Sequence, residues 1–305
     1  MVLCLPTFRK TRLQKTLFGG QLLLFFFPIL LGTFFQQLYN TIDSVIVGQF
    51  VGKEALAAVG GSSAQIVAFV VGFFTGLSSG ASVTIAQFFG AKDSRSANKG
   101  LHTAYAIAAF GGLILTVSGI ILTPFLLEMM NTPADIVADS AVYLRIYFAG
   151  IIFVLIYNMG SAILRATGDS KRPLYYLIVC CIINIVLDVL FVIVFHMGVM
   201  GVAVATLIAQ AVSAVLVTLK LMRSEGILKL SVKQIRFHGS ILKMQLKLGL
   251  RPDLKRSCSL LQILPFNLLS TLSARTQPPH GQPTENWTQF FGWSALRSEL
   301  RSQHS

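Results

Sequence analysis

The sequence predicts an all-α membrane protein, a bundle of six transmembrane helices. Three observations carry that expectation. First, the 305 residues are 54% hydrophobic and only 12% charged, with a mean hydropathy of +0.70; soluble domains carry roughly 25% charged residues. Second, apolar runs long enough to cross a bilayer, which takes about 20 residues, recur between residues 17 and 222. Third, Lys and Arg alternate from loop to loop. Arg9, Lys10, Arg12 and Lys15 precede the first run; Lys92, Arg95 and Lys99 follow the second; Arg165, Lys171 and Arg172 follow the fourth; basic residues at 220, 223, 229, 233, 236, 243 and 247 follow the sixth. The opposite loops hold only Lys53. Basic loops stay cytoplasmic, so six spans with both ends cytoplasmic satisfy the pattern throughout.

The same numbers exclude other classes. A net charge of +13 invites a nucleic-acid reading, but the charges sit between apolar spans and form no basic face, so no nucleic-acid partner is expected. Four cysteines (Cys4, Cys180, Cys181, Cys258) make no disulfide framework. No histidines stand at metal-ligand spacing, no cofactor is implied, and an enzyme is not expected.

In chain order, residues 1–16 read as a basic cytoplasmic N-terminus. A signal peptide is the competing reading, but no small-residue cleavage pattern follows. The first helix runs from about Leu17 to about Phe50. Pro28 removes a backbone donor inside it and is expected to kink it. Beyond Pro28 the helix turns amphipathic through Gln36, Gln37, Asn40, Thr41, Asp43 and Gln49. Asp43 is the sole acid of that span; it faces either the bundle interior or the outer water interface.

The second helix spans about Ala55 to Phe89. Gly76-Leu-Ser78-Ser-Gly80 matches a serine-nucleophile pattern, but that motif needs a strand-to-helix elbow. Inside an apolar helix the same residues read as small side chains that admit a neighbouring helix. Residues 91–99 read as a basic loop, about Leu101 to Leu122 as the third span, and about Ala141 to Leu164 as the fourth, with Tyr143, Arg145 and Tyr147 near its start. Gly168 suits the close of the fourth helix and Pro173 the start of the fifth.

The fifth span, 177–195, carries Asn184 and Asp188 four residues apart, hence on one helical face. A carboxylate at mid-membrane depth costs about 2.5–3.5 kcal/mol on insertion scales. Asp43 and Asp188 are therefore expected to meet across a small hydrated cavity that binds a cation; alternatively, Asn184 and Asp188 hydrogen-bond neighbouring helices as packing contacts. The sixth span covers about Val199 to Leu221. Residues 223–250 read as a basic amphipathic cytoplasmic linker lying on the anionic leaflet.

Several stretches together resemble one family. They are Pro28 with Asp43, Val47-Gly-Gln-Phe-Val-Gly-Lys53-Glu-Ala-Leu-Ala-Ala58, Leu164-Arg-Ala-Thr-Gly-Asp169 with Pro173, Asn184-x-x-x-Asp188, and Gly201-Val-Ala-Val-Ala-Thr206. In this order they resemble the N-terminal half of a bacterial multidrug and toxic compound extrusion (MATE) transporter, nearer the DinF-like branch. The resemblance implies the N-lobe of a twelve-helix transporter in the inner (cytoplasmic) membrane. It further implies cation-coupled (H⁺ or Na⁺) antiport of cationic drugs, with the ion site on Asp43, Asn184, Asp188, Thr206 and Tyr143. Carboxylate, amide and hydroxyl oxygens suit a hard cation such as Na⁺, and a desolvated carboxyl pair suits a proton.

The resemblance ends near residue 250. Residues 251–305 hold Trp287 and Trp293 and half of the ten prolines, and read as an aberrant, disordered tail in place of a second lobe. The expectation is a truncated, incomplete antiporter that needs a second lobe or a homodimer for activity. A non-transporting membrane fragment and a lipid-linked precursor flippase relative are the alternatives.

Overall fold

The computed structural model describes residues 12–224 and 229–249, with side chains from Phe27 onward, all within the compact unit Met1–Ser259. The basic residues before Arg12 and the expected tail at 251–305 lie outside the described residues. The described chain is helical, with no strand among the described residues. Its helices are α1 (Arg12–Ile46), α2 (Lys53–Gly60), α3 (Ser62–Gly90), α4 (Ser94–Met129), α5 (Val137–Ala166), α6 (Lys171–Asp188), α7 (Gly198–Met222) and a short α8 over 239–249. Among the described residues, α2 with α3, α4, α5, α6 with its extension to Val194, and α7 are each long and apolar enough to cross a membrane. The 35-residue α1 carries Pro28 inside it.

Two packing groups organise the bundle. Helices α3, α4, α5 and α7 share the main core, with Leu101, Phe148, Ile151, Leu155 and Val217 at its centre. Helix α6 packs against both α1 and α7. The outer faces carry exposed large apolar side chains, among them Phe34, Ile114, Ile121, Phe125, Ile182 and Val186. Hydrocarbon solvates such faces; water does not.

The punctuation residues act as their chemistry requires. Gly168 closes α5 with φ +88°, and Asp169 N–H donates to Leu164 O at 3.0 Å. Pro173 falls in the first turn of α6, where no N–H is needed. The expected basic loop at 91–99 is largely helical. Asp93 caps α4 by accepting from Ser96 N–H at 3.0 Å, and that donor together with the Ser96 hydroxyl holds the Asp93 carboxyl below its usual range. The second span is interrupted at Gly61, where an added Cβ would press on Ala57 O.

The segment after α7 docks more deeply than a surface helix. Leu230, Ile241 and Gln245 are buried, and Leu242 and Leu246 pack on the main core. Helix α8 crosses α3 glycine to glycine. A Cβ on Gly80 would fall onto the backbone of Gln245 and Gly249, and a Cβ on Gly249 would sit 2.8 Å from Gly76 O. Ser78 returns its hydroxyl to Phe74 O at 3.0 Å. The Gly76–Gly80 stretch is thus a helix crossing, as small residues in membrane helices allow.

Candidate functional site

Three helices bring the sequence-selected polar residues together. Helix α1 supplies Asp43, α6 supplies Asn184 and Asp188, and α7 supplies Thr206. All four side chains are buried; Asp188 has 0% of its surface exposed and Asp43 8%. The acids are therefore enclosed within the lobe rather than exposed on its surface.

The contacts inside the cluster are long. Asn184 Nδ2 donates to Thr206 Oγ1 at 3.5 Å, and Thr206 Oγ1 donates to Asp43 Oδ2 at 3.5 Å. Both lie at the limit of hydrogen bonding. Asp43 Oδ1, Asn184 Oδ1 and both carboxyl oxygens of Asp188 are buried with no hydrogen-bond partner. Asp188 stands within hydrogen-bonding reach of Asp43. Two ionised carboxylates accept only, so that contact becomes a bond only when one of them carries a proton. Unpaired buried carboxylate oxygens are expensive. The cluster is a set of buried oxygens short of hydrogen-bond donors.

Tyr143 lies near both Asp43 and Asp188. Its ring stacks on Tyr147 at 6.2 Å, and it packs with Ile42 against the small apolar cluster of Ile46, Val47, Val192 and Val202. Both Tyr143 and Tyr147 lie near Tyr39.

The cluster continues one helical turn further. Gln210 Nε2 donates to the Tyr39 hydroxyl at 3.3 Å, both residues being buried. Cys180 lies beside this pair and near Ser213. Sequence reasoning missed Tyr39 and Gln210. Their signal was present: Tyr39 precedes Asp43 by four residues and Gln210 follows Thr206 by four, so each extends a polar stripe already begun.

Each acid also precedes a widened turn. The chain leaves α1 through a π-helical turn at Val47–Val51 and α6 through another at Val189–Val194, with Gly52 N–H donating to Val47 O and Phe195 N–H to Leu190 O, both at 3.0 Å. Gly52, at φ +123°, permits the exit into α2. Wide turns of this kind inside α-helices often mark functional sites. Apolar residue types gave no sequence signal for them.

The MatE family profile matches residues 28–190 of the chain. The chain belongs to the MatE family. Among MatE relatives, it is 34% identical over 193 residues to the probable multidrug resistance protein YpnP of Bacillus subtilis (strain 168), a match covering 63% of this chain and 43% of that protein. It is 36% identical over 190 residues to the probable multidrug resistance protein YoeA of the same strain, covering 61% and 41%. A solved outward-facing multidrug resistance MATE family transporter of the MOP superfamily superposes with a TM-score of 0.70 at 28% identity, covering 77% of this chain and 51% of that one. The chain thus spans about half the length of the relatives it matches, and the helical bundle corresponds to the N-terminal half of a MATE fold.

Proposed function

We propose that this chain forms the ion-binding lobe of a cation-coupled antiporter that exports cationic small molecules. Asp43, Asn184, Asp188 and Thr206 hold the coupling ion, H⁺ or Na⁺, and Tyr143 walls the site beside both acids. The observation that carries the reading is the set of buried, unpartnered oxygens from α1 and α6, with the Thr206 hydroxyl of α7 beside them. Such a set is completed either by a proton shared between the carboxyl groups or by a hard cation that prefers oxygen donors. The multidrug resistance relatives supply the substrate class.

A cationic drug and the ion then compete for one negative charge, and that competition suffices for exchange. Alternating access in inverted-repeat transporters rocks one repeat against another. A second lobe, from another chain or a second copy of this one, completes the cycle. Helix α1, lacking one backbone hydrogen bond at Pro28, is the element able to bend as the site loads. The alternation of basic loops supports placement in the inner membrane with both ends cytoplasmic. A lipid-linked precursor flippase reading is less favoured, because the charges of this cluster are acidic. A non-transporting membrane fragment would keep the oxygen cluster without the exchange.

Two measurements test the proposal. Binding of radioactive sodium, or proton release on adding a fluorescent dication, is read on the purified chain, with Asp43→Asn alongside. Efflux of the same dication is read from proteoliposomes holding only this chain. The expected result is ion or proton coupling that weakens at least tenfold in Asp43→Asn, without efflux. A folded chain with neither ion nor dication binding would overturn the ion site. Cation-driven efflux by this chain alone, persisting when it is reconstituted as a monomer, would overturn the need for a second lobe.

A further inference from the structure

A second charged feature shares no residue with the acid cluster. The first turns of α4 and the strap before α8 enclose a cleft of about 790 Å³ lined by Arg95, Lys99, His102, Lys233, Arg236 and His238. Its wall is fastened by neutral contacts. Ser231 N–H donates to His102 Nε2 at 3.1 Å, which leaves the proton on Nδ1 to donate to Asn98 O at 2.9 Å. Thr103 gives its hydroxyl to Lys99 O at 2.8 Å and accepts from His238 Nδ1 at 3.1 Å. His238 Nε2 has no hydrogen-bond partner. Burial, and then Arg236, Lys99 and His102, hold the His238 imidazole below its usual range.

Four permanent cations therefore converge on one cleft. Among the described residues the ion pair formed is Arg172 with Asp169, on a different loop. Among the described residues, Asp93 lies beside Lys99 and is engaged as the α4 cap. Lys and Arg forced together without a carboxylate repel one another, and a bound anion relieves that repulsion.

An exposed apolar face adjoins the cleft. Phe237, immediately after Arg236, is 46% exposed and sets its ring 5.3 Å from that of Phe110, itself 53% exposed. Phe110 begins the exposed stripe Phe110, Leu113, Ile114, Val117 and Ile121 along one face of α4. Basic groups thus adjoin an exposed apolar helix face at a phenylalanine pair, and basic clusters beside a membrane-facing surface attract anionic headgroups.

We propose that this cleft binds the phosphate headgroup of an anionic lipid whose acyl chains lie along the Phe110–Ile121 face of α4. Arg95, Lys99, Lys233 and Arg236 supply charge-assisted hydrogen bonds to the phosphate oxygens. Free phosphate shares that headgroup chemistry but makes no use of the aromatic pair or the stripe, so the lipid is the occupant the surface fits. By tying the strap to α4, the lipid also fastens α8 across Gly80. The site stands independently of the antiport reading, and its test involves no transport.

The test uses the full chain in nanodiscs of phosphatidylcholine with increasing phosphatidylglycerol, with bound lipid counted by native mass spectrometry. Phosphatidylglycerol is expected to be retained at least tenfold more tightly than phosphatidylcholine. The variant Arg95→Gln/Lys99→Gln/Arg236→Gln removes the preference. The variant Lys220→Gln/Lys243→Gln/Lys247→Gln, which deletes the same charge elsewhere, keeps it. Phe237→Ala weakens phosphatidylglycerol several-fold and, should the cleft variant fail to fold, carries the test with Lys233→Gln. No preference for phosphatidylglycerol, or equal loss in both triple variants, overturns the proposal. Inorganic phosphate that displaces the lipid at equal concentration assigns the cleft to free phosphate and overturns the lipid.

Discussion

The α3–α4–α5 core and the α1–α6–α7 interface are built from similar apolar helices but answer opposite demands. In the core, backbones approach closely and polar atoms are largely returned to the chain. Gly112 admits Ile152, Gly119 admits the Phe148 ring and Gly160 admits Val217. Thr84 and Thr123 donate to their own helices, while Ser82 and Thr116 donate across to α5. Ser63 and Ser161 keep unpartnered hydroxyls there, but a neutral hydroxyl costs far less to bury than a carboxylate. At the α1–α6–α7 interface the orphaned atoms are carboxylate and amide oxygens. One region is packed for stability. The other leaves carboxylate and amide oxygens without donors, the demand that the proposed cation would meet.

That contrast breaks most readily at the crossing of α3 and α8. Gly80→Val places a branched side chain against the backbone of Gln245 and Gly249, and backbone cannot rotate away. The expected cost is about 3 kcal/mol or more, the upper end for overpacking, read from unfolding in detergent. Wild-type stability in this variant would mean that the helices do not cross so closely.

The site is expected to respond with the opposite sign. Asp188→Asn removes a buried charge whose oxygens lack donors. The thermal midpoint should hold or rise while ion affinity falls at least tenfold, equivalent to about 1.4 kcal/mol. A midpoint that drops as far as in Gly80→Val would place Asp188 among the structural residues and erase the distinction between the regions.

Smaller effects sharpen the boundary. Gln210→Leu leaves the buried Tyr39 hydroxyl without its donor. The expected loss is about 1 kcal/mol, with ion affinity reduced less than in Asp188→Asn. Equal losses of affinity would extend the ion site one turn along α7. The smallest effect is expected outside both regions, at the α4 cap. The Asp93 carboxyl is held below its usual range by the Ser96 hydroxyl and N–H. Its contribution is therefore present above the unfolded-state pKa and lost as pH falls through the lower folded value. Thermal scans of Asp93→Ala against wild type should differ near neutrality and converge in acid.

The Lys/Arg alternation, the recurring apolar runs, Gly168, Pro173 and the Asn184–Asp188 spacing were legible in the sequence because each is local. A helix of 3.6 residues per turn assigns faces by arithmetic, and a charge in an apolar run stands out wherever it falls. The breadth of the site was not legible in the same way. Tyr39 and Gln210 each extend a polar stripe by one turn, but they sit on helices distant in sequence, so nothing local pairs them. Tyr143 and Tyr147 stand one turn apart in sequence, and only the packing shows that Tyr143 lies near both acids.

By itself, then, the sequence determined the helices, their punctuation and the acids at the ends of α1 and α6. Only the tertiary structure decided which faces meet: the polar stripes of α1, α6 and α7 against one another, α8 against Gly80, and the basic strap against the start of α4. The physical reason is the solvent. Lipid tails and a neighbouring helix are equally apolar, so hydrophobic periodicity tells a membrane helix that it must be covered but not by what. Close packing at glycines and the pairing of the few polar groups make that choice, and both are properties of pairs of helices.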